Sequence, residues 1–203
     1  MSWNTALGTI GALLVPALAA AQGNSGQAHH REQCRFAAQI VATGQPSPHR
    51  AWALSYISVC GAEGGAALAI NLRAMRFSED TAALEVLARP LFNYRDSTLF
   101  RAELEVAGDA TASVPARVLA FRSLTSLLHP DRRLRYASVA GPLDARGFPT
   151  VSCGRGSYIS DPPRFEGSPL PTDFAQQIHD LGGRVWRDTT VADEVRSAGY
   201  CAY

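Results

Sequence analysis

Residues 97–130 read STLFRAELEVAGDATASVPARVLAFRSLTSLLHP, and this stretch decides the fold. Its first part predicts a helix from Ser97 to about Ala107, closed by Gly108. Its second part begins at the N-cap candidate Ser113 and carries apolar residues at helical spacing. They are Val114, Val118, Phe121, Leu124 and Leu128. Two helices joined by so short a turn must run antiparallel and bury their apolar faces against each other.

The same alternation of helical stretches and breakers extends back to residue 32. Four further helices are predicted from the apolar spacing and from the glycines and prolines between them. They span about 32–43, 49–60, 62–76 and 78–88. The last is expected to end at Ala88, because Pro90 disfavours helical backbone at Arg89. Together with the pair in 97–130, these helices make three consecutive hairpins.

The 97–130 hairpin resembles a HEAT-type repeat. The resemblance rests on Asp109 in the turn and on valine, small, arginine and leucine residues of the second helix. These are Val114, Ala116, Arg117, Ala120 and Leu124. The earlier hairpins share the rhythm of such repeats. The resemblance implies a short α-solenoid whose surface binds or scaffolds other proteins. An ordinary helical bundle would give a similar pattern and is the alternative arrangement.

The composition of the chain changes after Pro130. Residues 131–170 contain many of its glycines and prolines, which favours irregular structure. Two short helices are expected after them, at about 172–181 and 190–198, each ended by glycine. The predicted fold is therefore all-α. It consists of a short antiparallel helix-hairpin array over 32–130 and a loop-rich C-terminal extension over 131–203.

The first 21 residues have the pattern of an export signal. An apolar stretch from Leu7 leads into Ala19-Ala20-Ala21, and polar residues follow. We therefore expect residues 1–21 to be a signal peptide that is cleaved near Ala21, with a polar linker over 22–31. One feature is unusual, since no arginine or lysine precedes the apolar stretch. The mature protein is expected in the periplasm or outside the cell, without a membrane span.

Four cysteines lie in the chain expected after cleavage, at Cys34, Cys60, Cys153 and Cys201. An even number in an exported protein predicts two disulfides. The antiparallel helices 32–43 and 49–60 would bring Cys34 within one helical turn of Cys60, so we pair these two. Cys153 then pairs with Cys201 by exclusion and tethers the C-terminal extension. Zinc is the alternative, but the spacings match no structural zinc motif.

Charge and motifs exclude several functions. The chain has 19 basic and 18 acidic residues, a net charge of +1, so no field attracts nucleic acid. The sequence shows no convergent catalytic, cofactor-binding or metal-binding set, and no cofactor is expected. A protein partner is the remaining interpretation.

Four residues are candidates for contact with such a partner. Arg132, Arg133 and Arg135 cluster just after the helix that ends near residue 129. They could equally be a solvated helix end that complements the helix dipole. Trp186 lies in a short polar stretch, where it is either an exposed anchor or part of the core.

The sequence thus predicts an exported, non-enzymatic protein-interaction or scaffold module built on helical repeats. The alternative function is a small exported hydrolase or thiol-redox protein. It would use the glycine-rich segment from Cys153 to Ser157, the only one with candidate nucleophiles. That chemistry needs Cys153 as a free thiolate near a base, or Ser157 in a strained turn.

Overall fold

The computed structural model describes residues 8–44, 47–128, 133–143, 149–156 and 165–203. Within these ranges the chain is mostly helical. The helices are α1 Gly8–Thr43, α2 Arg50–Tyr56, α3 Gly61–Ala74, α4 Thr81–Asn93, α5 Ser97–Gly108, α6 Val114–Leu128, α7 Phe174–Arg187 and α8 Asp193–Ala202. A 3-10 turn, Ile57–Val59, continues α2. The strands are β1 Tyr94–Arg95, β2 Arg133–Leu143, β3 Pro149–Gly156 and β4 Phe165–Glu166.

The helices pack in two rows. In one row α3 lies between α1 and α5, and in the other α6 lies between α4 and α8. The rows are joined because α5 packs against α6, as α7 does against α8. A continuous cluster of buried apolar side chains fills the interior. Most of the predicted stripe of α6 lies in or against this cluster, with Phe121 and Leu124 fully buried, whereas Val114 is exposed.

The first helix differs from the prediction. α1 runs without a break from Gly8 to Thr43, so residues 22–31, expected to be a polar linker, are helical. These residues contain no proline, and none of them therefore removes a backbone hydrogen bond of the helix. The end of this segment also contacts α2, because His30 Nδ1 lies 2.8 Å from the Tyr56 hydroxyl oxygen.

Both disulfides join the cysteines that the sequence analysis pairs. Cys34 of α1 is bonded to Cys60, which follows the 3-10 turn, and their Cα atoms are 5.3 Å apart. Cys153 of β3 is bonded to Cys201 of α8, with Cα atoms 5.7 Å apart. The first bond closes the α1–α2 hairpin, and the second fastens β3 to the last helix.

Three helices continue through residues that were expected to end them. α4 reaches Asn93 with Pro90 inside it, and buried residues such as Leu91 hold its last turn although proline supplies no N–H. α7 and α8 run through Gly182 and Gly199. A Cβ at Gly182 would lie 2.5 Å from the carbonyl oxygen of Gly199. These glycines therefore allow two helices to approach closely, which a single helix does not reveal.

In the C-terminal extension, two segments that were expected to be irregular form strands. β2 and β3 form an antiparallel hairpin, in which Val139 pairs with Val151, and β2 packs against α8. The reason is that 134–139 and 150–153 hold residues suited to strands, while glycines and prolines collect where the register shifts or the strands end. β4 pairs in parallel with β1, with Tyr94 opposite Phe165. Residues 157–164 lie outside the described part of the chain.

Candidate functional site

The residues predicted to contact a partner fall in three places. Arg132 lies outside the described residues. Arg133 and Arg135 belong to β2, where Arg133 is paired with Gly156, so they do not form a helix end. Trp186 lies on α7. The described candidates therefore lie on two different elements, β2 and α7.

Trp186 is a half-buried part of the contact between α7 and α8. The Arg196 guanidinium lies 5.3 Å from the centre of its ring, and the Tyr200 ring is 4.9 Å away. Arg196 also donates its Nε–H to the Trp186 carbonyl oxygen at 3.2 Å. These contacts favour the core interpretation of Trp186 over an exposed anchor.

The turn between α5 and α6 is closed by a compact set of hydrogen bonds. Asp109 Oδ1 accepts from the backbone N–H of Thr111 at 2.8 Å and from its hydroxyl at 2.6 Å. The buried Arg117 donates its Nε–H to the Ala107 carbonyl oxygen at 3.1 Å. We call Asp109, Thr111 and Arg117 the first corner. Two of its residues, Asp109 and Arg117, are among those that resemble a HEAT-type repeat.

The turn between α7 and α8 has the same arrangement. Asp188 Oδ1 accepts from the Thr190 N–H at 3.0 Å and from the Thr190 hydroxyl at 2.6 Å. Arg196 makes the bond to Trp186 that corresponds to the bond from Arg117. We call Asp188, Thr190 and Arg196 the second corner, and it lies 79 positions after the first. The shared spacing of Asp, Thr and Arg is visible in the sequence, but the sequence analysis missed it.

Charged groups of the two corners influence each other's pKa values. Arg76 Nε lies 3.9 Å from Asp109 Oδ2. Hydrogen bonds from the corner threonines lower the pKa of Asp109 and of Asp188, and neighbouring guanidiniums lower both pKa values further. Burial lowers the pKa of Arg117, while both aspartates act against that shift. Arg117 therefore interacts with a carboxylate of each corner.

Comparison of the chain with known proteins gives no relative. No protein-family model, no curated protein and no solved structure matches this chain. The function of the protein must therefore be argued from its own residues.

Five rings form a connected aromatic surface on the α1–α2 hairpin. Trp52 stacks on Tyr56 with centroids 5.1 Å apart, and Phe36 lies 5.9 Å from both Trp52 and His49. His30 extends the set at 5.8 Å from Tyr56. Phe36 is 48% exposed and Trp52 is 39% exposed, so the rings face outward. Exposed tryptophan and tyrosine are frequent among the residues that dominate protein interfaces.

The outward position of Trp52 follows from how the α1–α2 hairpin is packed. The inner side of the hairpin is already filled by small and aliphatic side chains. These are Ala37, Val41, Ala53 and Ile57, all fully buried. The signal was present in the sequence, because this stripe is complete at helical spacing without any aromatic residue.

A buried acid lies between α5 and α6. Glu103 is 1% exposed and accepts a hydrogen bond of 2.6 Å from the Ser123 hydroxyl. Burial raises the pKa of Glu103 to about 8, which the Ser123 bond partly offsets and the charge of Asp96 reinforces. Burial thus favours the neutral form of the Glu103 carboxyl group.

Asp96 fastens the C-terminal segment to the helical core. Its Oδ1 caps α5 by accepting the N–H groups of Thr98 and Leu99 at 2.8 and 3.0 Å. Its Oδ2 accepts the N–H of Ser168 at 2.6 Å. Gly65 lets α3 approach this carboxylate, since a Cβ there would lie 2.3 Å from the Asp96 Cγ. Because the Asp96 carboxylate accepts hydrogen bonds from three N–H groups, its role is structural.

The structure describes one of the two residues proposed for thiol or hydrolase chemistry. The Cys153 sulfur is bonded to Cys201 and is not a free nucleophile in this form. Ser157 lies outside the described residues.

Within the described ranges, no group of three or more His, Cys, Asp or Glu side chains could hold a metal ion. In the same ranges, no helix combines the length and apolar character needed to cross a bilayer.

Proposed function

We propose that this protein is an exported protein-interaction or scaffold module built on HEAT-like helical repeats. The observation that carries the proposal is the recurrence of the Asp, Thr and Arg corner in α5–α6 and α7–α8. Equal corners at equal positions of successive hairpins are expected when one supersecondary unit is repeated. Repeat arrays commonly serve as extended binding surfaces.

The packing of the helices supports the same proposal. In a solenoid the first helices of successive hairpins lie side by side, as do the second helices. The contacts of α3 with α1 and α5, and of α6 with α4 and α8, follow that order. The exposed rings of the α1–α2 hairpin add a surface suited to protein contact.

Export is part of the proposal. Two disulfides are typical of proteins that fold in an oxidising compartment, where the bonds persist. Mass spectrometry of the native mature chain tests this part. We expect a mass that lacks about the first 21 residues and shows two disulfides. A cytoplasmic protein with four free thiols would contradict export.

Photo-crosslinking tests the interaction. Phe36 and Phe77 are exposed to similar extents, 48% and 55%, but lie on different elements. A photoreactive phenylalanine is placed at one position at a time in the exported protein. We expect a reproducible adduct with one protein, which then binds the purified chain directly. If neither position gives an adduct and the chain instead turns over an ester or disulfide, the hydrolase or redox alternative gains support.

A further inference from the structure

A hollow between β1, β4 and the start of α7 is lined by two oppositely charged side chains, and neither forms an ion pair within the described part of the chain. Its volume is about 330 Å³, and it lies away from the corners and the aromatic surface. The segment from Gly167 to Thr172 forms one wall, while Arg95, Glu166 and Phe174 complete it. A volume near the lower end of the range for small-molecule sites suits a ligand the size of one amino acid.

The two charged groups are neighbours that do not pair with each other. Arg95 and Glu166 are opposite residues in the parallel β1–β4 pairing. The ion pairs that the described residues make do not include either of them. The Arg95 guanidinium lies 5.9 Å from the centre of the Phe174 ring. A cation held over a ring keeps its N–H groups available for an acceptor.

The frame of the hollow is held by hydrogen bonds and a contact between two rings. Three backbone N–H groups donate hydrogen bonds that hold its wall. Gly167 N–H donates to the Arg95 carbonyl oxygen at 2.9 Å, and Ser97 N–H donates to the Ser168 carbonyl oxygen at 3.0 Å. Ser168 N–H donates to the Asp96 carboxylate at 2.6 Å. Phe174 is fixed from below by an edge-to-face contact of 6.4 Å with the buried ring of Phe100. A site built on such supports needs little ordering when a ligand binds.

We propose that this hollow binds the zwitterion of an apolar α-amino acid. The Arg95 guanidinium receives the carboxylate of the ligand, because its planar set of donors matches two carboxylate oxygens. The Glu166 carboxylate receives the ammonium group. Pro169, Leu170 and Phe174 line the hollow and contact the apolar side chain. The proposal is independent of the interaction function, so either can fail alone.

The charges select a zwitterion over its singly charged analogues. A simple carboxylate would meet Arg95 but would be repelled by the adjacent Glu166. A simple amine would meet Glu166 but would be repelled by Arg95. Only a ligand that carries an ammonium group and a carboxylate group on the same carbon compensates the charges of both residues.

Titration of the full-length mature chain tests the proposal, with backbone NMR shifts as the readout. The probes are L-phenylalanine, 3-phenylpropanoate, which lacks the ammonium group, and 2-phenylethylamine, which lacks the carboxylate. We expect L-phenylalanine to bind with a dissociation constant on the order of 1 mM and each analogue at least about tenfold more weakly. The amide signals of Gly167 and Ser168 should shift most.

Variants complete the test. Arg95→Gln and Glu166→Gln should each weaken L-phenylalanine at least about tenfold, and Arg95→Lys should weaken it less than Arg95→Gln because the charge remains. Arg101→Gln is the matched control, since Arg101 is exposed on α5 and outside the hollow. Circular dichroism verifies that each variant is folded. Equal binding of 3-phenylpropanoate, unchanged binding by both hollow variants, or no binding of L-phenylalanine would overturn the proposal.

Discussion

The hairpins α5–α6 and α7–α8 have the same corner but are held together by different means. Counting 79 positions from α5–α6 leads from Glu103 to Gly182 and from Ser123 to Ala202. In the first hairpin the two side chains meet in a buried hydrogen bond of 2.6 Å. In the second, Gly182 has no side chain, and α8 comes so close that a Cβ there would lie 2.5 Å from the Gly199 carbonyl oxygen.

The difference shows that a turn and the packing beside it can vary separately. The corner sets the path of the chain from one helix to the next through local bonds. The separation of the helices depends on the side chains that lie between them. The α7–α8 hairpin is also fastened by Cys153–Cys201, a bond that α5–α6 lacks. A close backbone contact in α7–α8 thus takes the place of the buried hydrogen bond between Glu103 and Ser123 in α5–α6.

The largest expected effect comes from comparing aromatic residues at corresponding positions of the two hairpins. Phe121 of α6 is fully buried, whereas Tyr200, 79 positions later, is 42% exposed. Phe121→Ala should lower the free energy of unfolding by about 3–5 kcal/mol, because it leaves a cavity. Tyr200→Ala should cost about 1 kcal/mol, mainly its contact with Trp186. Urea denaturation with disulfides intact measures both, and equal losses would contradict the comparison.

The second prediction uses the buried acid of α5–α6. Glu103 has a pKa of about 8 in the folded protein and an ordinary value of 4.5. Between these values the folded state binds more protons than the unfolded state, so stability falls as pH rises and levels off above about 8. The shifts of Asp109 and Asp188 act in the opposite direction, below their ordinary value of 3.8. The two effects therefore occupy different pH ranges.

Glu103→Gln should remove this decline and keep a hydrogen-bonding partner for Ser123. The free energy of unfolding at about pH 5 and about pH 8 is measured for both proteins, and the wild type should lose up to a few kcal/mol more than the variant. Glu105→Gln is the control, because its side chain is 53% exposed. A variant as pH-dependent as the wild type would show that Glu103 ionises normally.

The third prediction concerns the close contact in α7–α8. Gly182→Ala should lower the free energy of unfolding by about 1–3 kcal/mol, because the added methyl group must push α8 away. Gly26→Ala in α1 is the matched control, since nothing lies within 4 Å of its added Cβ. That change should raise stability by up to about 1 kcal/mol through helix propensity. If Gly182→Ala also raised the free energy of unfolding, α7 and α8 would not be in close contact at this position.

The sequence predicts helices well where their own apolar spacing decides them. The helices of the 97–130 hairpin, with its capping Ser113 and buried Phe121, are confirmed almost to their ends. It fails where another element decides. Gly182 looks like a helix end unless Gly199 is known to lie against it. The hollow beside Arg95 was missed because Glu166 reaches it from 71 positions away through β-pairing that no local pattern indicates.

The smallest expected effect tests whether the two corners form one row of charges. Thr111→Val should raise the pKa of Asp109 and leave that of Asp188 nearly unchanged, because its hydroxyl bond is local. Thr190→Val should do the reverse. Each change should cost less stability than Gly182→Ala, since the corner bonds are exposed to solvent. NMR titration of the aspartate carboxyl groups measures both shifts.

Arg117 then distinguishes a shared row from two separate corners. Its charge lowers the pKa of both aspartates, whereas that of Arg196 contributes to the pKa of Asp188 and not of Asp109. Arg117→Gln should therefore raise both pKa values, and Arg196→Gln only that of Asp188. If Arg117→Gln raised the Asp109 pKa alone, the corners would be independent copies of one turn. If it raised both, Arg117 would couple two successive hairpins, as stacked repeats require.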